Sequence, residues 1–158
     1  MNNVLLLQPE HCISCHACQL ACSLKHEGSY RPSKSRIAVL TSPMKFSVPL
    51  TCLQCEDPAC AAVCVVNALT KDEKTGVVNY NKEKCIGCRM CVSACPFGNI
   101  SYDRETKTVL KCDVCEGAPE CATFCPTDAI QWVRADLESL ARKKVMSEKF
   151  EQVFTKEV

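Results

Sequence analysis

Hydrophobic residues come in short runs along this chain, each closed by a polar turn. Val4-Leu5-Leu6-Leu7 is the first, and Ile37-Ala38-Val39-Leu40 stands inside a polar connector over 23–50 that contains Pro32, Pro43 and Pro49. Asn67-Ala68-Leu69-Thr70 leads into a turn at 71–76, and Val77-Val78-Asn79-Tyr80 returns from it. Asn99-Ile100-Ser101-Tyr102 and Thr108-Val109-Leu110-Lys111 repeat the arrangement about 103–107, and Asp128-Ala129-Ile130-Gln131-Trp132-Val133 ends the series. Runs this short, rich in branched and aromatic residues and bounded by turn formers, predict short strands, some of them in hairpins. The period then changes. Over 134–154 the residues Leu137, Leu140, Ala141, Val145, Phe150, Val153 and Phe154 recur mostly at three- and four-residue steps with charges between them, which predicts a C-terminal helix. Such a helix either docks a partner subunit or a second copy, or packs on its own core.

Composition reshapes this picture. Sixteen of 158 residues are cysteine, while the large aliphatic residues are too sparse for a big conventional core. Cysteine at this density marks either an exported disulfide scaffold or an intracellular metal binder. The opening Met1-Asn2-Asn3 carries no basic region or twin arginine, and the apolar stretch around 60–69 is too short to span a bilayer. The expectation is a cytoplasmic protein without a membrane segment, whose reduced thiols bind metal and whose fold the metal stabilises. A formal net charge of +1 gives no electrostatic case for nucleic acid.

The cysteines form one motif, four times. The copies are Cys12, Cys15, Cys18, Cys22; Cys52, Cys55, Cys60, Cys64; Cys85, Cys88, Cys91, Cys95; and Cys112, Cys115, Cys121, Cys125. The first and third read C-x2-C-x2-C-x3-C, and the second and fourth lengthen the middle spacer. Three thiolates on a looping backbone wrap one face of a cubane, and the fourth, at the start of a short helix pointing away, reaches another cluster, as in two-cluster bacterial ferredoxins. Cys95-Pro96 and Cys125-Pro126 keep the proline common after such a cysteine, whereas Cys22-Ser23 and Cys64-Val65 do not. Structural zinc prefers two distant C-x2-C pairs, and no motif has radical-SAM spacing. His11, His16 and His26, near the first motif, are expected to donate hydrogen bonds rather than ligate, since the cysteine count is complete. Lys25, Lys84, Arg89 and Lys111, near the motifs, either raise a cluster potential or are solvated surface charges, and the second is the expectation. No nucleophile elbow, phosphate loop or dinucleotide fingerprint is present, so the chain is read as non-catalytic.

The alternation of strand, cluster loop and short helix resembles the bacterial 2[4Fe–4S] ferredoxin fold, written twice. The fold class is α+β. Sequential pairing would join motif one with two and three with four; nested pairing would join two with three and one with four. The strands favour nesting, because the terminal strands of a ferredoxin pair, and here those would be Val4–Leu7 and Ala129–Val133. The expected divisions are 1–48 and 105–134 for the two halves of an outer unit, 49–104 for an inserted unit, and 135–158 for the tail.

The motif order, with Cys55-Glu56-Asp57-Pro58-Ala59-Cys60 and Cys85-Ile86-Gly87-Cys88-Arg89-Met90-Cys91, is similar to the four-cluster electron-transfer subunit family of molybdenum or tungsten pterin enzymes and related hydrogenase systems. The resemblance covers about 4–134. It implies four [4Fe–4S] clusters in nested pairing. Cluster one would take Cys12, Cys15, Cys18 and Cys125; cluster two Cys52, Cys55, Cys60 and Cys95; cluster three Cys85, Cys88, Cys91 and Cys64; cluster four Cys112, Cys115, Cys121 and Cys22. It also implies electron hopping in the order one, two, three, four. The partners implied are a large catalytic subunit with a tungsten or molybdenum pterin, most similar to aldehyde oxidoreductases, and a flavin subunit or ferredoxin as acceptor. Formate dehydrogenase, hydrogenase or CO dehydrogenase systems, and a free-standing polyferredoxin, are the alternatives.

Overall fold

A computed structural model describes residues 3–43 and 46–135. Its order is β1 (Asn3–Leu7), α1 (Ala17–Glu27), β2 (Ile37–Thr41), β3 (Ser47–Thr51), α2 (Ala59–Ala62), β4 (Leu69–Lys71), β5 (Val78–Tyr80), α3 (Met90–Ala94), β6 (Ile100–Asp103), β7 (Thr108–Lys111), α4 (Glu120–Thr123) and β8 (Ile130–Arg134), with three short 3-10 turns between them. Among the described residues the strands pair as four two-stranded antiparallel sheets: β1 with β8, β2 with β3, β4 with β5, and β6 with β7.

Local chemistry closes the hairpins. Asp72 Oδ1 accepts from the amides of Lys74 (2.7 Å) and Thr75 (3.1 Å), and Gly76 takes a left-handed φ of 72°, so the chain reverses between β4 and β5. Asp103 Oδ1 accepts from the amide of Glu105 (3.0 Å) at the equivalent turn between β6 and β7. β3 is a strand that the sequence pattern does not predict. Pro49 sits in its middle, opposite Val39, and a two-stranded ribbon tolerates it because the missing N–H costs only one ladder bond.

The helices correct one expectation. Each carries the third cysteine of its motif, namely Cys18, Cys60, Cys91 and Cys121, and the fourth does not begin a helix. Three residues between third and fourth cysteine make about one helical turn, so Cys64, Cys95 and Cys125 follow the helix ends. Cys22 differs, because α1 runs on to Glu27 and stops at Gly28, φ 66°. Ser23, where two other motifs have proline, is fully buried; its Oγ donates to the Leu20 carbonyl (3.0 Å) and accepts from the Arg31 amide (3.1 Å).

Two apolar cores result. One gathers Cys18, Cys22, Ile37, Val39, Cys121 and Ile130, and the other Cys60, Leu69, Val78, Cys91, Ile100 and Val109. Helix α1 packs on α4 at the first core and α2 on α3 at the second. Both internal divisions drawn from the sequence need moving. The one at 48/49 cuts β3, whose ladder with β2 extends to Thr51. The one at 104/105 cuts the β6–β7 hairpin, although Val109 of β7 belongs to the second core. Divisions after 51 and after 111 keep both hairpins whole. The C-terminal helix expected over 134–154 lies, but for its first residues, outside the described residues.

Candidate metal centres

Each cysteine loop bends the same way. The residue before the second cysteine has a left-handed backbone in all four motifs: Ser14 (φ 59°), Gln54 (49°), Gly87 (69°) and Val114 (52°). Left-handed residues in a tight loop turn successive amides towards the loop's inside, which makes an anion-binding concavity. Val114 is the costliest, since a β-branched residue rarely adopts this conformation. Gly87 meets a second demand: a Cβ there would lie 3.3 Å from Tyr102 Oη and 3.5 Å from the Lys107 carbonyl.

Three cavities gather the thiols, each taking cysteines from two motifs. Cys12, Cys15, Cys18 and Cys125 line the first, with Val39 and Ile130 behind them. Cys52, Cys55, Cys60 and Cys95 line the second, and Cys85, Cys88, Cys91 and Cys64 the third. Cys112, Cys115, Cys121 and Cys22 form a fourth set. Burial raises the Cys121 thiol far above its ordinary range, and Cys112, Cys22 and Cys115 add to the rise in that order. Cys22 acts on Cys115 as well.

Burial also pushes Cys18 and Cys112 up to about 11, and raises Cys60 and Cys91. Neighbouring thiols in each set work in the same direction, because one thiolate opposes the next. Four thiolates therefore coexist there only around a strongly positive core. Backbone amides already point at some of the sulfurs: Arg36 N–H at Cys22 (3.3 Å), Ala68 N–H at Cys64 (3.2 Å) and Val114 N–H at Cys112 (3.4 Å). The donor set and the amide-to-sulfur contacts fit a polynuclear iron–sulfur cluster.

The sets are neighbours in an order that differs from the expected one. Cys18 of set one acts on Cys121 of set four. Cys52 of set two acts on Cys112 of set four, and Gln54 Nε2 donates to the Cys112 carbonyl at 2.9 Å. Sets two and three share the second core. The sequence of neighbours is one, four, two, three, not one, two, three, four, because the fold brings the first motif to the last.

The other expected contributors separate. His26 reaches motif four, not motif one, since α1 continues past Cys22. Its Nε2 lies 3.7 Å from Cys115 Sγ and 3.5 Å from Asp113 Oδ1. Burial, then Arg36, lowers its pKa, so the neutral ring is favoured and can donate to sulfur. His16 turns to Gln19. Lys25 is half exposed beside Glu120, and Arg89 lies over the Tyr102 ring, 4.5 Å from its centroid. Lys111 contradicts the surface-charge expectation, being 5% exposed. Gln54, one residue before Cys55, was not signalled by the sequence at all; its role comes from long-range contacts.

The comparisons agree with iron–sulfur binding. Residues 43–135 match the 4Fe-4S dicluster domain model, and residues 9–28 match a 4Fe-4S binding domain. The chain is 44% identical over 121 residues to an aliphatic sulfonate oxidoreductase, polyferredoxin-like subunit, of Pyrococcus furiosus, covering 77% of this chain and 70% of that one. It is 32% identical over 169 residues to an iron–sulfur protein of Rhodospirillum rubrum, covering 90% and 88%. It is 31% identical over 182 residues to formate hydrogenlyase subunit 2 of Escherichia coli, covering 91% and 88%. The chain belongs to the 4Fe-4S dicluster family of ferredoxin-like iron–sulfur electron-transfer subunits.

Proposed function

We propose that this chain carries four [4Fe–4S] clusters, one in each cysteine set, and conducts electrons between a catalytic redox subunit and an acceptor. The observation that carries the reading is the meeting of Cys64 with Cys85, Cys88 and Cys91 at one cavity, and of Cys95 with Cys52, Cys55 and Cys60 at another. Each motif gives its last thiol to a neighbour, so adjacent centres are tied by one helical turn. Antiparallel pairing of β1 with β8 supports one ferredoxin unit inserted in another, with sets one and four in the outer unit and two and three in the inner.

A bound cluster supplies a one-electron redox site. The chain's residues supply the rest: thiolate ligands, amides directed at sulfur, and apolar walls that exclude water. The neighbour relations favour a path from set one through four and two to set three, in either direction. No substrate bond is made or broken on this chain. The catalytic partner is read as a large subunit with a tungsten or molybdenum pterin of aldehyde oxidoreductase type, and the acceptor as a flavin subunit or ferredoxin. The named relatives that are oxidoreductase subunits support a place in an oxidoreductase complex. The setting proposed is the cytoplasm; among the described residues no helix is long and apolar enough to cross a membrane.

Two measurements test this. Anaerobically purified chain should hold about sixteen iron and sixteen acid-labile sulfide, about four of each per cluster. Tagged chain recovered from its source should bring down a large subunit containing tungsten or molybdenum. Zinc without sulfide would end the electron-carrier reading, and recovery as a lone monomer at full yield would favour a free polyferredoxin.

A further inference from the structure

Lys111 closes β7 and is 5% exposed. Its ammonium donates to the carbonyls of Val78 (2.7 Å) and Cys112 (2.7 Å) and to Gln54 Oε1 (3.3 Å). Among the described residues no carboxylate pairs with it. The contrast with the other buried lysine is direct, because Lys34 is held by Asp103 and Glu105. Burying an ammonium costs several kcal/mol, and neutral oxygens return only part of that. A cation kept in such a place has an anionic counterpart nearby.

The surroundings identify it. Gln54 lies between Cys52 and Cys55, Val78 lines the cavity of set two, and the Cys112 carbonyl belongs to set four. The ammonium therefore stands at the junction of sets two and four, where the outer and inner cores meet. Four thiolates outweigh the charge of the iron–sulfide core they hold, so each loaded set is an anion that grows more negative on reduction. A buried cation stabilises the more negative state of each, and solvent does little to screen it.

We propose that Lys111 is a potential-setting residue, whose buried charge raises the reduction potentials of the clusters in sets two and four and eases electron passage across the junction between the two cores. This rests on the four-cluster reading above. Its partner is the pair of clusters themselves, and Gln54 holds it by accepting from Nζ while donating to the Cys112 carbonyl.

The test is anaerobic redox titration of the holoprotein, followed by EPR, for wild type, Lys111→Arg, Lys111→Gln and Lys111→Met. Glutamine keeps donors for the two carbonyls and removes the charge; arginine keeps the charge. At a fixed poise the reduced-to-oxidised ratio of two clusters should fall at least tenfold in Lys111→Gln, a shift of about 59 mV for a one-electron couple. The other two clusters should hold their midpoints, and Lys111→Arg should stay within twofold of wild type. Lys111→Met serves if the glutamine variant does not load iron. Unchanged midpoints in a neutral variant with full iron would overturn the proposal and leave the four-cluster reading standing. Loss of iron from both neutral variants, with arginine fully loaded, would assign Lys111 to folding alone and overturn it too. Wild type without iron or sulfide would instead defeat the four-cluster reading.

Discussion

Ile130 stands opposite Leu7 in the ladder joining β1 to β8, and it is 2% exposed. The pair brings the beginning of the chain against the last described strand, and with it Cys125 to the cavity of Cys12, Cys15 and Cys18. Ile130 lines that cavity as well. Ile130→Ala should cost about 2–5 kcal/mol, the usual range for truncating a buried isoleucine. Anaerobic urea unfolding of the holoprotein would measure it. A change within about 0.5 kcal/mol, typical of surface positions, would remove the β1–β8 seam from the list of stabilising contacts.

Lys34 and Asp103 form a buried ion pair between the connector after α1 and the end of β6, so it joins elements of the two cores. Lys34 holds the Asp103 carboxyl well below its ordinary pKa, and Asp103, then Glu105, raise Lys34. Asp103 therefore contributes stability above the unfolded carboxyl pKa of about 3.9 and loses it as pH falls through the folded value. Lys34 contributes below about 10.4 and loses it as pH rises through its own folded value. Asp103→Asn should lower the holoprotein melting temperature by the same amount at every pH from about 6 to 9. A gap that closes within that window would contradict the pairing.

Gly87 has φ 69°, and a methyl there would sit a tight 3.3 Å from Tyr102 Oη. Gly87→Ala should cost about 1–2 kcal/mol from the left-handed backbone, with crowding added. The damage should centre on the set that includes Cys85 and Cys88, seen as one EPR component lost before the others on warming. Gly98 offers the control, since it too is left-handed but nothing lies within 4 Å of its added Cβ. Gly98→Ala should show the backbone cost without the crowding, and an equal loss at both sites would exclude a role for Tyr102.

Much of this was legible in the sequence, and the exceptions have physical causes. The strands were visible because short apolar runs such as Thr108–Lys111 end in turn residues. The four motifs were visible because the cysteine spacing repeats, whereas the four thiol sets came only as what the family resemblance implies. Pro49 hid β3, since proline reads as a break unless the strand is known to lie in a two-stranded ribbon. Ser23 hid the length of α1: no proline stops the helix, and its hydrogen bonds to Leu20 and Arg31 show only in three dimensions. Lys111 was read as a surface charge because sequence reports charge and not burial. The division at 104/105 failed because the β6–β7 hairpin obeys the second core rather than motif boundaries.

Cys22 is the sharpest probe of the exchange of last cysteines between motifs. It lies in the first motif but sits with Cys112, Cys115 and Cys121. The measurement is EPR of the reduced holoprotein for Cys22→Ala, compared with Cys115→Ala and Cys15→Ala. Cys22→Ala should lose the same component as Cys115→Ala, with the component lost in Cys15→Ala intact. A spectrum matching that of Cys15→Ala would contradict it.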